Sequence, residues 1–192
     1  FVYHINHIIA KAFSLLGFII RQGKSFNNIS TIKVLFNSYV VACLQYGCII
    51  WHPIYFIHIS AIEAVQRRFL KFCWFKKHGI YPQRGIDNSI LLAEFEMLSL
   101  DSRRQIAIIT FFHKIVQFKI DCAELLAKIS FHVPRLCCRG ALSLYFPAAH
   151  TNILLRSPIN LICMLYNNKF KDLDVFYLNE INFRKLARNM LN

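Results

Sequence analysis

Hydrolysis, group transfer and metal-assisted chemistry need acids, bases or nucleophiles held close together, and this chain spreads them thinly. Its ten acids form two close pairs, Glu94 with Glu96 and Asp172 with Asp174. A two-metal polymerase or nuclease site needs clustered carboxylates, because each divalent ion must be held by oxygen ligands. Residues two apart on a helix do not face each other, so Glu94 and Glu96 diverge. Asp172 and Asp174 fall in a short polar turn between helical segments. The eight histidines (His4, His7, His52, His58, His78, His113, His132, His150) are scattered, and none has an acid three or four residues on to orient it. There is no glycine-rich phosphate loop, no GxSxG, no HExxH and no dinucleotide fingerprint. The expectation is therefore no catalytic residue in this chain.

Seven cysteines (Cys43, Cys48, Cys73, Cys122, Cys137, Cys138, Cys163) make an odd number with no CxxC pair. Most sit inside apolar periodic stretches, as buried free thiols of a reducing compartment do. The one loose metal candidate is Cys137-Cys138 with His132 and His150, and adjacent cysteines rarely share one tetrahedral ion. Neither a metal site nor a cofactor is expected.

What remains is charge. Lys plus Arg number 23 against 10 Asp plus Glu, a formal +13, which points to a polyanion or an anionic membrane surface as partner. The chain is also 56% hydrophobic with 18 Phe, too apolar for a disordered basic tail. It opens on Phe1 and enters helical periodicity at once, so its start is expected upstream.

The elements that would position these cations are helical. Ile5, Ile8, Ile9, Ala12, Leu15, Leu16 and Ile19 make the apolar stripe of a first amphipathic helix ending near Arg21. Ser30 reads as N-cap of a second helix. From Val34 to Ile62 there is no Asp, Glu, Lys or Arg, and Val34–Trp51 reads either as a fully buried helix or as a membrane span. A third helix carries Ile62, Val65, Phe69 and Phe72 on one face and Glu63, Arg67 and Lys71 at four-residue steps on another, with Glu63 placed to pair with Arg67. Gly79 and Pro82 close it. The phenylalanines and Trp74 in this basic helix could stack bases, although aromatics at helical spacing more often pack a core.

A short helix around Ile90–Leu98 follows, then Asp101 as N-cap of a helix whose buried stripe is Ile108, Ile109, Phe112, Ile115 and Val116. Beyond Asp121 the prolines, glycine and arginines from Pro134 to Pro158 predict irregular structure. Helical patterns resume at Pro158–Asn167 and Asn179–Leu191.

Several stretches together resemble a known family. His4-Ile5-Asn6-His7-Ile8-Ile9-Ala10-Lys11-Ala12 through Leu15-Leu16-Gly17-Phe18-Ile19-Ile20-Arg21 resembles the segment after the catalytic palm of reverse transcriptases from jockey-like non-LTR retrotransposons. Leu35-Phe36-Asn37-Ser38-Tyr39-Val40, Leu44-Gln45-Tyr46-Gly47 and Ile50-Trp51-His52-Pro53 are similar to that family's tyrosine-bearing helix with its Tyr-Gly and Trp-x-Pro block. Ile62-Glu63-Ala64-Val65-Gln66-Arg67-Arg68-Phe69-Leu70 looks like its IExVQRRFLRF helix, and Leu98-Ser99-Leu100 with Arg103-Arg104 like its LGLxSLxxRR segment. Asp121-Cys122-Ala123-Glu124-Leu125-Leu126 and Phe131-His132-Val133-Pro134 continue the likeness, which runs in order across 4–178. The loop Gly79–Asn88 and Cys137-Cys138 depart from it, and no terminal zinc knuckle is present.

The resemblance implies the thumb and C-terminal extension of an RNA-directed DNA polymerase whose palm, fingers, catalytic aspartates and magnesium lie elsewhere. Such a region would hold an RNA and DNA template–primer duplex, in the cytoplasm and nucleus. The expected fold is all-α: an antiparallel helical bundle over 1–120, and a C-terminal extension over 121–192 that is irregular and then helical. The candidate phosphate contacts are Lys11, Arg21, Lys24, Lys33, Arg67, Arg68, Lys71, Lys76, Lys77, Arg103 and Arg104. The alternatives are a small membrane protein built around Val34–Trp51 and a non-catalytic helical module that binds protein.

Overall fold

The computed structural model describes residues 1–26, 28–132, 142–146, 151–155 and 157–191. The chain is all-α, about 68% helical. Among the described residues the only extended pairing is a single antiparallel bridge between Phe131 and Leu144. Cys137, Cys138, His150, Arg135, Arg139 and Arg156, on which part of the sequence-based expectation rests, lie outside the described residues. The chain divides into two compact units, Phe1–Arg103 and Arg104–Asn192. Composition changes after 120, whereas this division falls inside a helix.

Unit 1 begins with α1 (Val2–Gln22), which buries Ile5, Ile8, Ala12, Leu16 and Ile19 along one stripe. α2 (Ile29–Leu35) is capped by Asn28, whose side chain accepts from the Ser30 amide; Ser30 itself lies one residue inside the helix. The helix continues through a π-helical turn, Phe36–Val41, into α3 (Ala42–Gln45). Ile32, Phe36, Val40 and Leu44 are all buried. At strict four-residue spacing such a stripe would drift around an α-helix, and the wider turn takes up the drift.

Val34–Trp51 is thus neither a continuous span nor fully buried. Gly47, at φ 62, breaks it before α4 (Cys48–Trp51), and Val34, Tyr39, Tyr46 and Ile50 are exposed. Among the described residues one helix, Val2–Gln22, is long and apolar enough to cross a membrane, by length and composition alone.

α5 (Phe56–His78) packs against α1, α2 and α6 (Asn88–Glu94) and ends at Gly79, φ 73, in the left-handed conformation expected of a C-terminal glycine. Its Phe69 ring stacks on Phe36, centroids 3.8 Å apart. The first turn of α7 (Leu100–Val116) is capped differently from expectation. Ser99 Oγ accepts from Ser102 N at 3.0 Å, and the Glu63 carboxylate accepts from the amides of Leu100 and Asp101 at 3.3 and 2.7 Å. Three amides that the helix itself leaves without partners are thereby satisfied, and Asp101 sits inside the first turn instead of capping it.

Unit 2 takes the rest of α7, a short α8 (Ala123–Ala127), α9 (Asn152–Leu155), α10 (Pro158–Lys169) and α11 (Glu180–Asn189). Pro158 starts α10, where its missing N–H costs nothing. Asp174 Oδ1 accepts from the amides of Phe176 and Tyr177, which fixes the turn before α11 and gives Asp174 a role in the backbone of that turn.

Candidate nucleic-acid interface

The cations separate by face, and α5 shows this best. Its buried stripe comprises Ile62, Val65, Gln66, Phe69, Leu70, Phe72 and Cys73. At roughly 100° per residue, Arg67, Lys71, Trp74 and His78 fall within a narrow band opposite that stripe, with Arg68 and Phe75 beside it. Arg67 and Arg68 are exposed and Lys71 is half-buried. The Arg68 guanidinium lies 6.0 Å from the Phe13 ring centre of α1, which orders it without neutralising it.

Other candidates are drawn into the fold. Lys76 Nζ donates to the carbonyls of Lys24 and Phe26 at 2.8 and 2.7 Å, stitching the turn after α1 to α5. Lys33 Nζ donates to Phe95 O at 2.7 Å and lies over the Phe95 ring. Lys77 pairs with Glu94, and that hydrogen-bonded ammonium holds the Glu94 carboxyl below its ordinary range. Arg103 donates to Asn37 Oδ1 at 3.1 Å. Arg104, the first residue of unit 2, is fully buried and so has no surface to offer a phosphate.

Lys11, Arg21 and Lys24 are exposed. Lys11 lies two residues before Phe13, roughly 200° around α1, so it points away from the flank that meets Arg68. Of the eleven candidates, the structure therefore groups Arg67, Arg68 and Lys71, and spreads or engages the rest.

Two further sets of cations carry no expectation from the sequence. Arg84 is exposed in the loop after α5. On α11, Arg184, Lys185 and Arg188 are exposed while Phe183 and Ala187 are buried. The four-residue step from Arg184 to Arg188, set against the one from Phe183 to Ala187, was the available signal.

Glu63 takes a role that local spacing does not reveal, since its carboxylate turns to the α7 amides. No group of three His, Cys, Asp or Glu among the described residues could hold a metal ion. The five described cysteines form no disulfide with one another, and burial pushes the Cys73 thiol up to about 12, which keeps it protonated.

No family model, curated protein or solved structure matches this chain.

Proposed function

We propose that unit 1 grips the phosphate backbone of a nucleic-acid duplex through the outer face of α5, as the thumb region of an RNA-directed DNA polymerase would. The observation that carries this is the grouping of Arg67, Arg68 and Lys71 within about one turn, Arg67 and Lys71 opposite the buried stripe of α5 and Arg68 beside them. Three neighbouring cations on a rigid 23-residue helix offer affinity without base readout, because phosphates carry no sequence. The net charge of +13 adds long-range attraction for a polyanion. Resemblance of the Ile62–Leu70 stretch to the corresponding helix of jockey-like reverse transcriptases supports the same assignment. On that reading the polymerising chemistry, and the ions it uses, would belong to a palm outside this sequence.

The test is the salt dependence of binding to an RNA–DNA duplex. Affinity should be indifferent to sequence and fall steeply with salt, each phosphate contact contributing about 0.7 to 0.9 to the log–log slope. Replacing Arg67, Arg68 and Lys71 together by Gln should flatten the slope by roughly two to three units with helicity unchanged. An unaltered slope in the folded triple variant would reject this face as the contact surface.

A further inference from the structure

Beyond the last turn of α5 the chain folds back on itself. Gly79 and Gly85 adopt φ of +73 and +86 with open space where a Cβ would stand. These glycines therefore serve backbone conformation, not close packing. The fold-back leaves an open cleft of about 610 Å³ lined by Trp74, His78, Tyr81, Arg84, Ile86 and Ile90, among others.

Its walls are flat rings. Trp74 and His78 lie 4.4 Å apart, centre to centre, and Tyr81 stacks on Phe75 at 4.6 Å with planes 16° apart. Tyr81 and Arg84 remain exposed. Two acids lie nearby: Glu94 is engaged by Lys77 and His78, and the Asp87 carboxylate accepts from Ser89 and also feels the charge of Arg67.

We propose that this cleft receives an unpaired nucleotide at the end of the gripped duplex, its base against Trp74 and Tyr81 and its phosphate at Arg84. The inference rests on the phosphate-gripping role of α5 and adds a preference for single-stranded extensions. Four features support it. The volume suits a small planar group. Aromatic faces accept any base, each stack contributing on the scale of a specific contact. Arg67, Lys71, Trp74 and His78 also share one band of α5, so the cationic track runs directly into the aromatic cleft. The cleft is open to solvent, as a polymer passing through requires.

The experiment compares the whole chain's affinity for a blunt RNA–DNA duplex with that for the same duplex bearing a short single-stranded extension. The extended duplex should bind more tightly. Tyr81→Ala and Arg84→Gln, both at exposed loop positions, should each reduce that advantage, and together remove it. The loss should be about ten-fold, the scale of one lost base stack. Affinity for the blunt duplex and its salt slope should not change. Tyr81→Phe should restore the stack and the advantage. Trp74→Phe should abolish any quenching of tryptophan emission by the extension.

Equal affinity of the unaltered chain for both duplexes, with a normal salt slope, would overturn the cleft and leave the α5 track standing. An advantage that survives the double variant would also overturn it. Binding of the free strand, lost in Tyr81→Ala, with no binding of blunt duplex would keep the cleft and remove the track. Absence of binding to every nucleic acid would remove both.

Discussion

Among the described residues, the interior of unit 1 buries one polar side chain, Gln66, whereas unit 2 buries Arg104, Gln105, Thr110, His113 and Asn160. Both units fasten irregular backbone with side chains, unit 1 largely with lysines and unit 2 with neutral polar groups. In unit 1, long helices pack on one another through apolar stripes, and the carbonyls of Lys24, Phe26, Phe95 and Leu98 outside them take donors from Lys76, Lys33 and Gln66. In unit 2 the helices must also hold irregular chain, whose carbonyls need donors. Gln117 Nε2 donates to Val175 O and Phe176 O, His113 Nε2 to Leu178 O, the Tyr166 hydroxyl to Leu173 O, and Asn160 Nδ2 to Leu154 O. Asn167 does the same on both sides, accepting from the amides of Ser143 and Leu144 and donating to Leu144 O. Polar residues on the helices of unit 2 thus complete the backbone bonding that its loops cannot complete alone.

The largest effect that would break this contrast lies in unit 1. Phe69→Ala removes a fully buried ring stacked on Phe36 and should cost about 3 to 5 kcal/mol. Both tryptophans, Trp51 and Trp74, belong to unit 1. Their emission during denaturant unfolding therefore reports this loss directly. A cost below about 1 kcal/mol would mean that the apolar interior is not what holds unit 1.

A smaller effect sharpens the other side of the comparison. Gln117→Leu keeps the bulk of the side chain while leaving the Val175 and Phe176 carbonyls without their donor, at about 1 to 2 kcal/mol. Hydrogen exchange of the α11 amides should quicken while tryptophan emission from unit 1 keeps its midpoint. Unchanged exchange would show that these bonds do not anchor the segment.

The mildest effect is one of pH. Lys114 and Lys119 both approach Glu180, at 3.1 and 3.4 Å. Hydrogen bonding from Lys114, with help from Lys119, holds the Glu180 carboxyl below its ordinary value of 4.5. A depressed folded-state value means that the stabilisation is fully present above about 4.5 and is lost as pH falls through the folded value. Protection of the α11 amides, measured against the intrinsic exchange rate at each pH, should accordingly fall on acidification. Glu180→Gln should show part of that loss of protection already at neutral pH and respond less to acid. Identical pH profiles for the two proteins would assign the acid response elsewhere.

How much of this was legible depends on the range of each interaction. The stripes of α1, α5 and α7, the glycine at the end of α5 and the proline at the start of α10 are local signals, and they placed those helices within a few residues. The tasks of individual cations were not local. Lys76 binds carbonyls about 50 residues earlier in the chain and Lys33 a carbonyl 62 residues later, and no spacing rule reports a carbonyl that packing brings near. Glu63 has Arg67 at the right step, and its carboxylate also reaches the amides at the start of α7, which lie 37 and 38 residues on and which no helical spacing reports. Arg67, Arg68, Lys71, Lys76 and Lys77 look equally basic in the sequence; tertiary packing separates those left to solvent from those that fasten loops.

The π-helical turn at Phe36–Val41 has a consequence for how this protein tolerates changes in its length. A π turn is a helix that has absorbed one additional residue without rotating the turns beyond it. Loss of a single exposed residue there, such as Ser38 or Tyr39, would let Ile29–Gln45 run as ordinary α-helix. Val40, Val41 and Leu44 would then fall at the spacing an α-helical stripe prefers. The same deletion in the middle of α5 would swing every later side chain by roughly 100°, carrying Phe69, Phe72 and Cys73 out of the core. Evolution of this fold by insertion and deletion is therefore free at one helix and forbidden at its neighbour.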